Sequence, residues 1–472
     1  MDTGSKLCGT TVRESDLYDI VVIGGGPGGY ASALYAHNFG LKVALVEKAT
    51  VGGVCLTRGC IPAKTWLHAA DVFRTVKEAG HYGVDTSEPT VNWGRALERK
   101  HEVVNQLVTG LGGLLRNRKV DIFNGFGRLA GSKKVIVSGE HGDEELEANH
   151  VIIATGSEAR SIPGYDIDGE RVVTSDHALD WPQRPEKVAI IGAGAIGCEF
   201  ASLLSDFGSE VWLFEMLDQV VPGSEPQAAN ALERALKTRG VNVRTGTSIG
   251  NPVPVHGRLQ VPFGEESVEV DVVLVAVGRA PQTDGIGLDS VNVETDRGYI
   301  VVDPATQLTA EPGVYAVGDV VAGAPQLAHA GFAEGIAAVT HIATGTSAPV
   351  DYRAIPLVVY SHPELASVGL TEAQAKEAGY EIDKTRHPFA GVGRAIIIGE
   401  NQGMVKIVSE KDGPILGATV VGPSAGEMIH ELMYAVAWEA LPAEAAAFIH
   451  AHPTLSEAVG ETLLGAAGRS LH

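Results

Sequence analysis

Cys55 and Cys60, with four residues between them, carry the strongest chemical signal in the chain. They lie in Gly52-Gly53-Val54-Cys55-Leu56-Thr57-Arg58-Gly59-Cys60-Ile61-Pro62-Ala63-Lys64. Pro62 suits the first turn of a helix, so Cys60 is expected just before a helix N-terminus. That position lowers a thiol pKa and favours the thiolate. A zinc site needs a second ligand pair at similar spacing, and the sequence has none. The other cysteines, Cys8 and Cys198, stand alone, and Cys8 takes no role. Two cysteines can also be core packing. The Gly-rich approach directly before this pair favours a redox dithiol.

A candidate acid–base group lies near the C-terminus, in Ile449-His450-Ala451-His452-Pro453-Thr454-Leu455-Ser456-Glu457. Pro453 biases the chain at His452 toward extended geometry. Glu457 is placed to orient the His452 imidazole and hold its tautomer. Such a histidine can take a thiol proton at neutral pH. A second His-Pro-Glu, His362-Pro363-Glu364, shows that the motif alone decides little.

Two glycine-rich turns make the third signal. Gly24-Gly25-Gly26-Pro27-Gly28-Gly29 follows the apolar run Tyr18 to Ile23 and precedes an Ala-rich stretch, after which Lys42 to Glu47 reads as a strand. Gly192-Ala193-Gly194-Ala195-Ile196-Gly197 repeats that arrangement between Lys187–Ile191 and Glu210–Glu215. An offset of 168 residues separates Gly24 from Gly192 and Glu47 from Glu215. In each turn the first glycine permits the tight bend, the second admits a pyrophosphate, and the third lets helix and strand pack closely. Phosphates then sit at a helix N-terminus. Glu47 and Glu215 are placed to accept hydrogen bonds from ribose hydroxyls. A carboxylate at Glu215 repels a 2′-phosphate, which favours NAD over NADP in the second unit, a preference that Arg244, farther along the chain, could modify.

Nicotinamide delivers hydride, whereas a disulfide is reduced through thiolate chemistry. A flavin can accept both electrons and pass them either way. One dinucleotide site is therefore expected to hold FAD and the other NAD.

These groups must be held by an α/β fold with two Rossmann-like dinucleotide-binding domains. Further buried strands are expected at Lys133–Val137, Val151–Ala154, Val272–Val277 and Val314–Val317. From about Tyr352 shorter strand-like runs (Ile396 to Ile398, Met404 to Val408, Gly417 to Val421) alternate with Ala-rich helices, which reads as a separate C-terminal α+β domain.

The chain's 472 residues are enough for about three domains. Its 58 glycines exceed the usual ~7% and call for many tight turns. Acids outnumber bases, 58 against 36, and the net charge of −22 leaves no basic footprint for nucleic acid and no polybasic membrane patch. Four cysteines do not make a secreted disulfide framework. The first residues form no apolar signal core, and no window is apolar enough to span a membrane. A cytoplasmic protein is expected.

Taken together, the Cys55–Cys60 segment, His452-Pro453…Glu457 and the two glycine turns resemble the FAD-dependent pyridine nucleotide–disulfide oxidoreductases, over nearly the whole chain. Within that family the dihydrolipoamide dehydrogenase branch is the most similar. The resemblance implies that Cys55 meets the substrate, Cys60 lies against the flavin, and His452 with Glu457 form an acid–base pair supplied across an obligate homodimer. It implies FAD contacts at Gly24, Gly26, Gly29, Glu47, Gly53, Gly127, Thr155, Gly156, Ser157, Asp319 and Ala328. Lys64, paired with Glu199, would lie near the flavin ring. Gly192, Gly194, Gly197, Glu215 and Gly278 would serve NAD. The implied division is an FAD-binding domain at 1–158, an NAD-binding domain at 159–285, a central domain at 286–351 and a dimerisation domain at 352–472. The implied reaction oxidises dihydrolipoamide on a lipoyl-bearing acyltransferase or carrier protein, of a 2-oxoacid dehydrogenase complex or a glycine cleavage system, and reduces NAD⁺.

Val54, Thr57 and Arg58 depart from the residues common in this family, which bears on specificity rather than on reaction type. Read without the resemblance, Lys64–Glu199 is an ordinary surface ion pair and Asp319 a turn residue. Two other functions fit the same motifs. One is an NAD(P)H-dependent disulfide reductase of the family, using NADPH, that acts on a small thiol such as glutathione or mycothiol. The other is a flavoprotein-like binding module without turnover.

Overall fold

The computed structural model describes residues 17–346 and 349–471. Cys8 and the N-terminal arm lie outside the described residues. The chain divides into two compact units, Met1–Thr57 with Asn105–Glu158 and Pro281–Val350, and Arg58–Val104 with Ala159–Ala280 and Asp351–His472.

In the first unit the strand Tyr18–Ile23 lies between Val43–Glu47 and Gly142–Ile153, parallel to both. Asp121–Asn124 and Val314–Ala316 extend the parallel part. Lys134–Gly139 and Phe126–Leu129 extend it antiparallel, as a hairpin beyond Gly142–Ile153. The central strands Tyr18–Ile23 and Val43–Glu47 are almost wholly apolar and buried because both their faces are covered, as parallel sheets require. One face carries the helices Pro27–Ala36 and Ala328–Thr344, which approach through small residues. A Cβ at Gly335 would lie 2.8 Å from the Gly28 carbonyl oxygen.

The second unit repeats the parallel arrangement. Its five strands run in the order Asn242–Arg244, Glu210–Phe214, Lys187–Ile191, Val272–Val275, Val172–Val173. A second, antiparallel sheet follows, ordered Leu357–Val359, Glu364–Gly369, Ile415–Gly422, Met404–Glu410, Ile382–Pro388. The helices Ala425–Ala437 and Glu457–Ala466 share one buried core with it.

Two expectations need correction. Ile396–Ile398 is not a strand: Gly393–Ile397 is a short helix that buries Ala395 and leaves Ile396 and Ile397 exposed. Packing of the small alanine outweighs the β-branched preference of its neighbours. Cys60 does not precede its helix but is the first residue of Cys60–Glu78, with Gly59 as N-cap, and Cys55 is itself in a short helix, Gly53–Arg58.

A buried ion pair fastens the second unit. Lys406, on a central strand, donates to Glu225 at 2.7 Å, Gln227 at 2.8 Å and Glu372 at 3.0 Å. The Lys406 and Glu225 side chains are 3% and 2% exposed. Breaking such a pair leaves an uncompensated charge. Lys406→Met is expected to destabilise the unit by about 3 kcal/mol, measured as a lower denaturant midpoint. A loss below about 1 kcal/mol would mean that Glu225 is satisfied without its cation.

Candidate active site

The first glycine turn is closed by backbone contact. Gly24 has φ +105°, and a Cβ there would strike the Ala154 carbonyl. A Cβ on Gly29 would overlap the Gly24 carbonyl oxygen, and one on Gly53 would lie 2.6 Å from Gly26 Cα. Gly127 fits against Val46 and Ile23, where a Cβ would lie 2.9 and 3.0 Å from their methyl carbons. Gly26 caps the helix Pro27–Ala36 with no side-chain bond to its first amides, which leaves that terminus open to an anion. Glu47 is buried beneath the turn; its Oε2 accepts from Gly25 N at 2.7 Å and its Oε1 from Ala49 N at 2.8 Å. Each carboxylate oxygen keeps a second lone pair for a ribose hydroxyl.

The other residues expected at this site lie in the same unit. Thr155 Oγ1 donates to the Gln282 carbonyl at 2.6 Å, and Ser157 Oγ donates to Asp319 at 2.5 Å. Gly156 and Gly318 take φ of +72° and +79°. Glu334, fully buried, accepts from Gly318 N at 2.5 Å. Ala328 opens the helix Ala328–Thr344. Just before it, Gln326 buries an Nε2 donor with no hydrogen-bond partner among the described residues. A buried amide donor without a partner is costly in an empty fold and suits a ligand acceptor. The sequence reading missed Gln326 and Glu334, because no spacing rule marks a single amide in a loop or one buried acid in an Ala-rich helix. The backbone cradle, the open helix terminus, Glu47 and Gln326 together fit a dinucleotide of FAD type.

The second unit reproduces the turn at atomic level. A Cβ at Gly192 would lie 2.5 Å from the Ala276 carbonyl oxygen, and one at Gly197 would overlap the Gly192 carbonyl. Around Gly194 there is open space, where a phosphate can approach the backbone. Glu215 Oε2 accepts from Ala193 N at 2.9 Å and Oε1 from Leu217 N at 3.0 Å. Glu215, Ala193 and Leu217 stand 168 positions beyond Glu47, Gly25 and Ala49 in the same bonding pattern, so the repeat is one of hydrogen bonds as well as of glycines. The Arg244 guanidinium lies over the Trp212 ring, 5.3 Å from its centroid. Gly278, at φ +105°, accepts from Arg160 N at 3.0 Å.

Cys55 belongs to the first unit and is half-buried; Cys60 belongs to the second and is exposed. At the first position of a 19-residue helix, Cys60 receives the dipole and free amides that favour a thiolate. One turn on, Lys64 Nζ meets both oxygens of Glu199 at 2.9 Å. Glu199 is almost fully buried and also accepts from Tyr360 N, while Lys64 lies 4.7 Å over the Tyr360 ring. Burial pulls the Lys64 pKa down, but the charge and hydrogen bond of Glu199, with Cys60 adding to them, outweigh it and raise it. With Glu199 buried and Lys64 half-buried, the pair is not an ordinary surface one.

His452 and Glu457 are brought together. His452 Nδ1 lies 2.8 Å from Glu457 Oε1, and Glu457 Oε2 accepts from Thr454 N at 2.9 Å. The Thr454 amide first, then His452, holds the Glu457 carboxyl below its usual range. With Nδ1 held, Nε2 is left to exchange a proton with a substrate. His362 differs although both His–Pro bonds are cis. It is half-buried, and that burial, then Arg74 and Arg239, pushes its pKa down to about 3. Its nearby acid, Glu364, instead accepts from Gly426 N. Around the His452 segment large apolar side chains face outward: Trp438 is 75% exposed, Phe448 77% and Ile449 98%. Among the described residues no cluster of His, Cys, Asp and Glu is placed to hold a metal, and no helix is long and apolar enough to cross a membrane.

Comparison with known proteins gives concordant matches. The pyridine nucleotide-disulphide oxidoreductase family matches residues 18–335, and its dimerisation domain matches residues 355–463. The dihydrolipoyl dehydrogenase of Bacillus subtilis (strain 168) is 39% identical over 96% of this chain and 99% of its own. Dihydrolipoyl dehydrogenase 3 of Pseudomonas putida is 40% identical, covering 96% and 99%. The crystallised HOCl-induced flavoprotein disulfide reductase RclA of Escherichia coli superimposes with a TM-score of 0.84 at 27% identity, covering 94% of this chain and 99% of that one. The chain belongs to the pyridine nucleotide-disulphide oxidoreductases and carries that family's dimerisation domain at its C-terminus.

Proposed function

We propose that the protein is a dihydrolipoyl dehydrogenase, a homodimer that oxidises dihydrolipoamide on a carrier protein and reduces NAD⁺. The observation that carries the reading is the His452–Glu457 pair, an oriented base, in a chain whose Cys60 opens a helix five residues after Cys55. The full-length likeness to dihydrolipoyl dehydrogenases supports the same substrate class.

The turn Gly24-Gly26-Gly29, Glu47, Gly53, Gly127, Thr155, Gly156, Ser157, Asp319 and Ala328 would hold FAD, with Lys64 toward its ring. Gly192, Gly194, Gly197, Glu215 and Gly278 would hold NAD. FAD, when bound, accepts an electron pair from a thiolate and returns it as hydride to NAD⁺. In the oxidised enzyme Cys55 and Cys60 form a disulfide. The partner subunit's His452 takes the proton of one substrate thiol at Nε2, and the freed sulfur attacks Cys55. The Cys55–Cys60 bond breaks, and its electron pair leaves on Cys60 as thiolate. The second substrate sulfur then displaces Cys55, which departs with the proton held by His452, and the cyclic disulfide is released. The second substrate proton goes to solvent. Glu457 keeps the imidazole in one tautomer throughout. Lys64, kept cationic by Glu199, offsets the thiolate on Cys60.

The carrier is a lipoyl-bearing component of a 2-oxoacid dehydrogenase complex or of a glycine cleavage system. A thiol-reducing compartment such as the cytoplasm suits an enzyme that cycles a dithiol. The net charge of −22 favours carriers with basic docking patches.

Cys55→Ser is expected to abolish lipoamide turnover while the purified protein keeps its flavin absorbance; retained turnover would remove the dithiol from the reaction. His452→Gln should slow dihydrolipoamide oxidation by about 10²–10⁴-fold. A change under about twofold would return that histidine to a structural role. Glu215→Arg should shift the ratio of NAD⁺ to NADP⁺ efficiency toward NADP⁺, and an unchanged ratio would show that this carboxylate does not reach the ribose.

A further inference from the structure

Two residues before His452 stands a second imidazole that the reaction above does not use. The His450 side chain is 13% exposed where that of His452 is 78% exposed. Its Nε2 lies 2.5 Å from Glu431 Oε1, on the helix Ala425–Ala437. Its ring lies against Gly460, the fourth residue of the helix Glu457–Ala466; a Cβ there would lie 2.6 Å from His450 Nδ1. Glycine inside a helix is destabilising relative to alanine, so a packing reason is expected, and the His450 ring supplies it. His450 is thus wedged between two helices, one of which begins at Glu457. The charged groups that face it are Glu431 from the first helix and Glu457 from the second. The hydrogen bond with Glu431 raises the His450 pKa against the pull of burial. Its charge in turn helps to keep Glu457 ionised.

We propose that His450 is a positioning residue: gripped by Glu431 and seated on Gly460, it fixes the segment that presents His452 and holds Glu457 beside it. The proposal rests on the dihydrolipoyl dehydrogenase reading. Holoenzymes of the wild type, His450→Ala, His450→Gln and His452→Gln are compared in two assays. One follows dihydrolipoamide oxidation by NAD⁺ across pH. The other follows NADH oxidation by ferricyanide, which bypasses the dithiol. His450→Ala is expected to slow the first about tenfold and to leave the second within about twofold. His450→Gln keeps a nitrogen donor toward Glu431 and should recover the first rate to within about threefold.

Dithiol turnover of His450→Ala within about twofold of wild type overturns the proposal. So does an equal loss in both assays, which marks a purely structural role. Should His450→Ala fail to fold, Glu431→Ala, which removes only the grip on His450, decides, and dithiol turnover within about twofold of wild type overturns the proposal. If His452→Gln is slow and the His450 variants are not, only this proposal falls; if His452→Gln turns over normally, the reading beneath it falls first.

Discussion

The backbone of each glycine turn comes so close to neighbouring backbone that no side chain fits between. At Gly24 and Gly192 the obstacle is the carbonyl at the end of the next parallel strand, Ala154 or Ala276; at Gly29 and Gly197 it is the turn's own first carbonyl. Such close approach leaves amides pointing inward at the tip, and an unmet amide is costly. Glu47 and Glu215 meet one each, at Gly25 and Ala193, and fix the turn from below. Everything farther out is built on this. The helix that follows starts without a side-chain cap, and its open amides are where anionic phosphates are stabilised. The carboxylate that closes the turn is the one available to a ribose.

Charge placement in the second unit follows a related logic at the thiol. A helix N-terminus favours a thiolate on Cys60, and a lysine one turn later favours it again. An enclosed lysine is itself unstable as a cation, since burial opposes its charge. Glu199 resolves that conflict by binding Lys64 with both oxygens while a backbone amide, Tyr360 N, satisfies it from another side. The net charge of the pair is close to zero, so the cation near Cys60 is stabilised without a large field. The same economy appears at Glu457, which is anchored by the Thr454 amide before it touches His452.

What could be read from the chain follows from the range of each interaction. The two β-turn-α-β units were legible because their signals are local and repeated: glycines that need positive φ or close approach, apolar strands, and an acid at a fixed distance. The C-terminal sheet was legible from Met404 to Val408 and Gly417 to Val421, where buried apolar runs coincide with strands. Ile396–Ile398 misled because β-branched composition resembles a strand while the turn is decided by where Ala395 packs. His452 and His362 share a His-Pro-Glu vocabulary, and only three-dimensional surroundings separate them: one meets a carboxylate five residues on, the other is enclosed with Arg74 and Arg239. Gln326 and Glu334 were invisible because their roles are defined by what lies across space from them.

The C-terminal segment makes sense only with a second copy. A general base must hold its substrate proton at a fixed geometry, and a side chain as open to water as His452 has no wall against which a dithiol could be oriented. Beside it in sequence, Phe448 and Ile449 offer large apolar faces to solvent, and the exposed Tyr434 and Trp438 rings lie tilted against each other with centroids 5.2 Å apart. Aromatic rings left exposed in this way are the usual anchors of a buried interface. All four side chains lie within the stretch that matches the family's dimerisation domain. A two-fold contact closed over them would remove that apolar surface from water and would give His452 a wall in the same step. In the proposed reaction the base would thereby be tied to assembly, because exposed apolar surface is continuous in the chain with the residue that needs a wall.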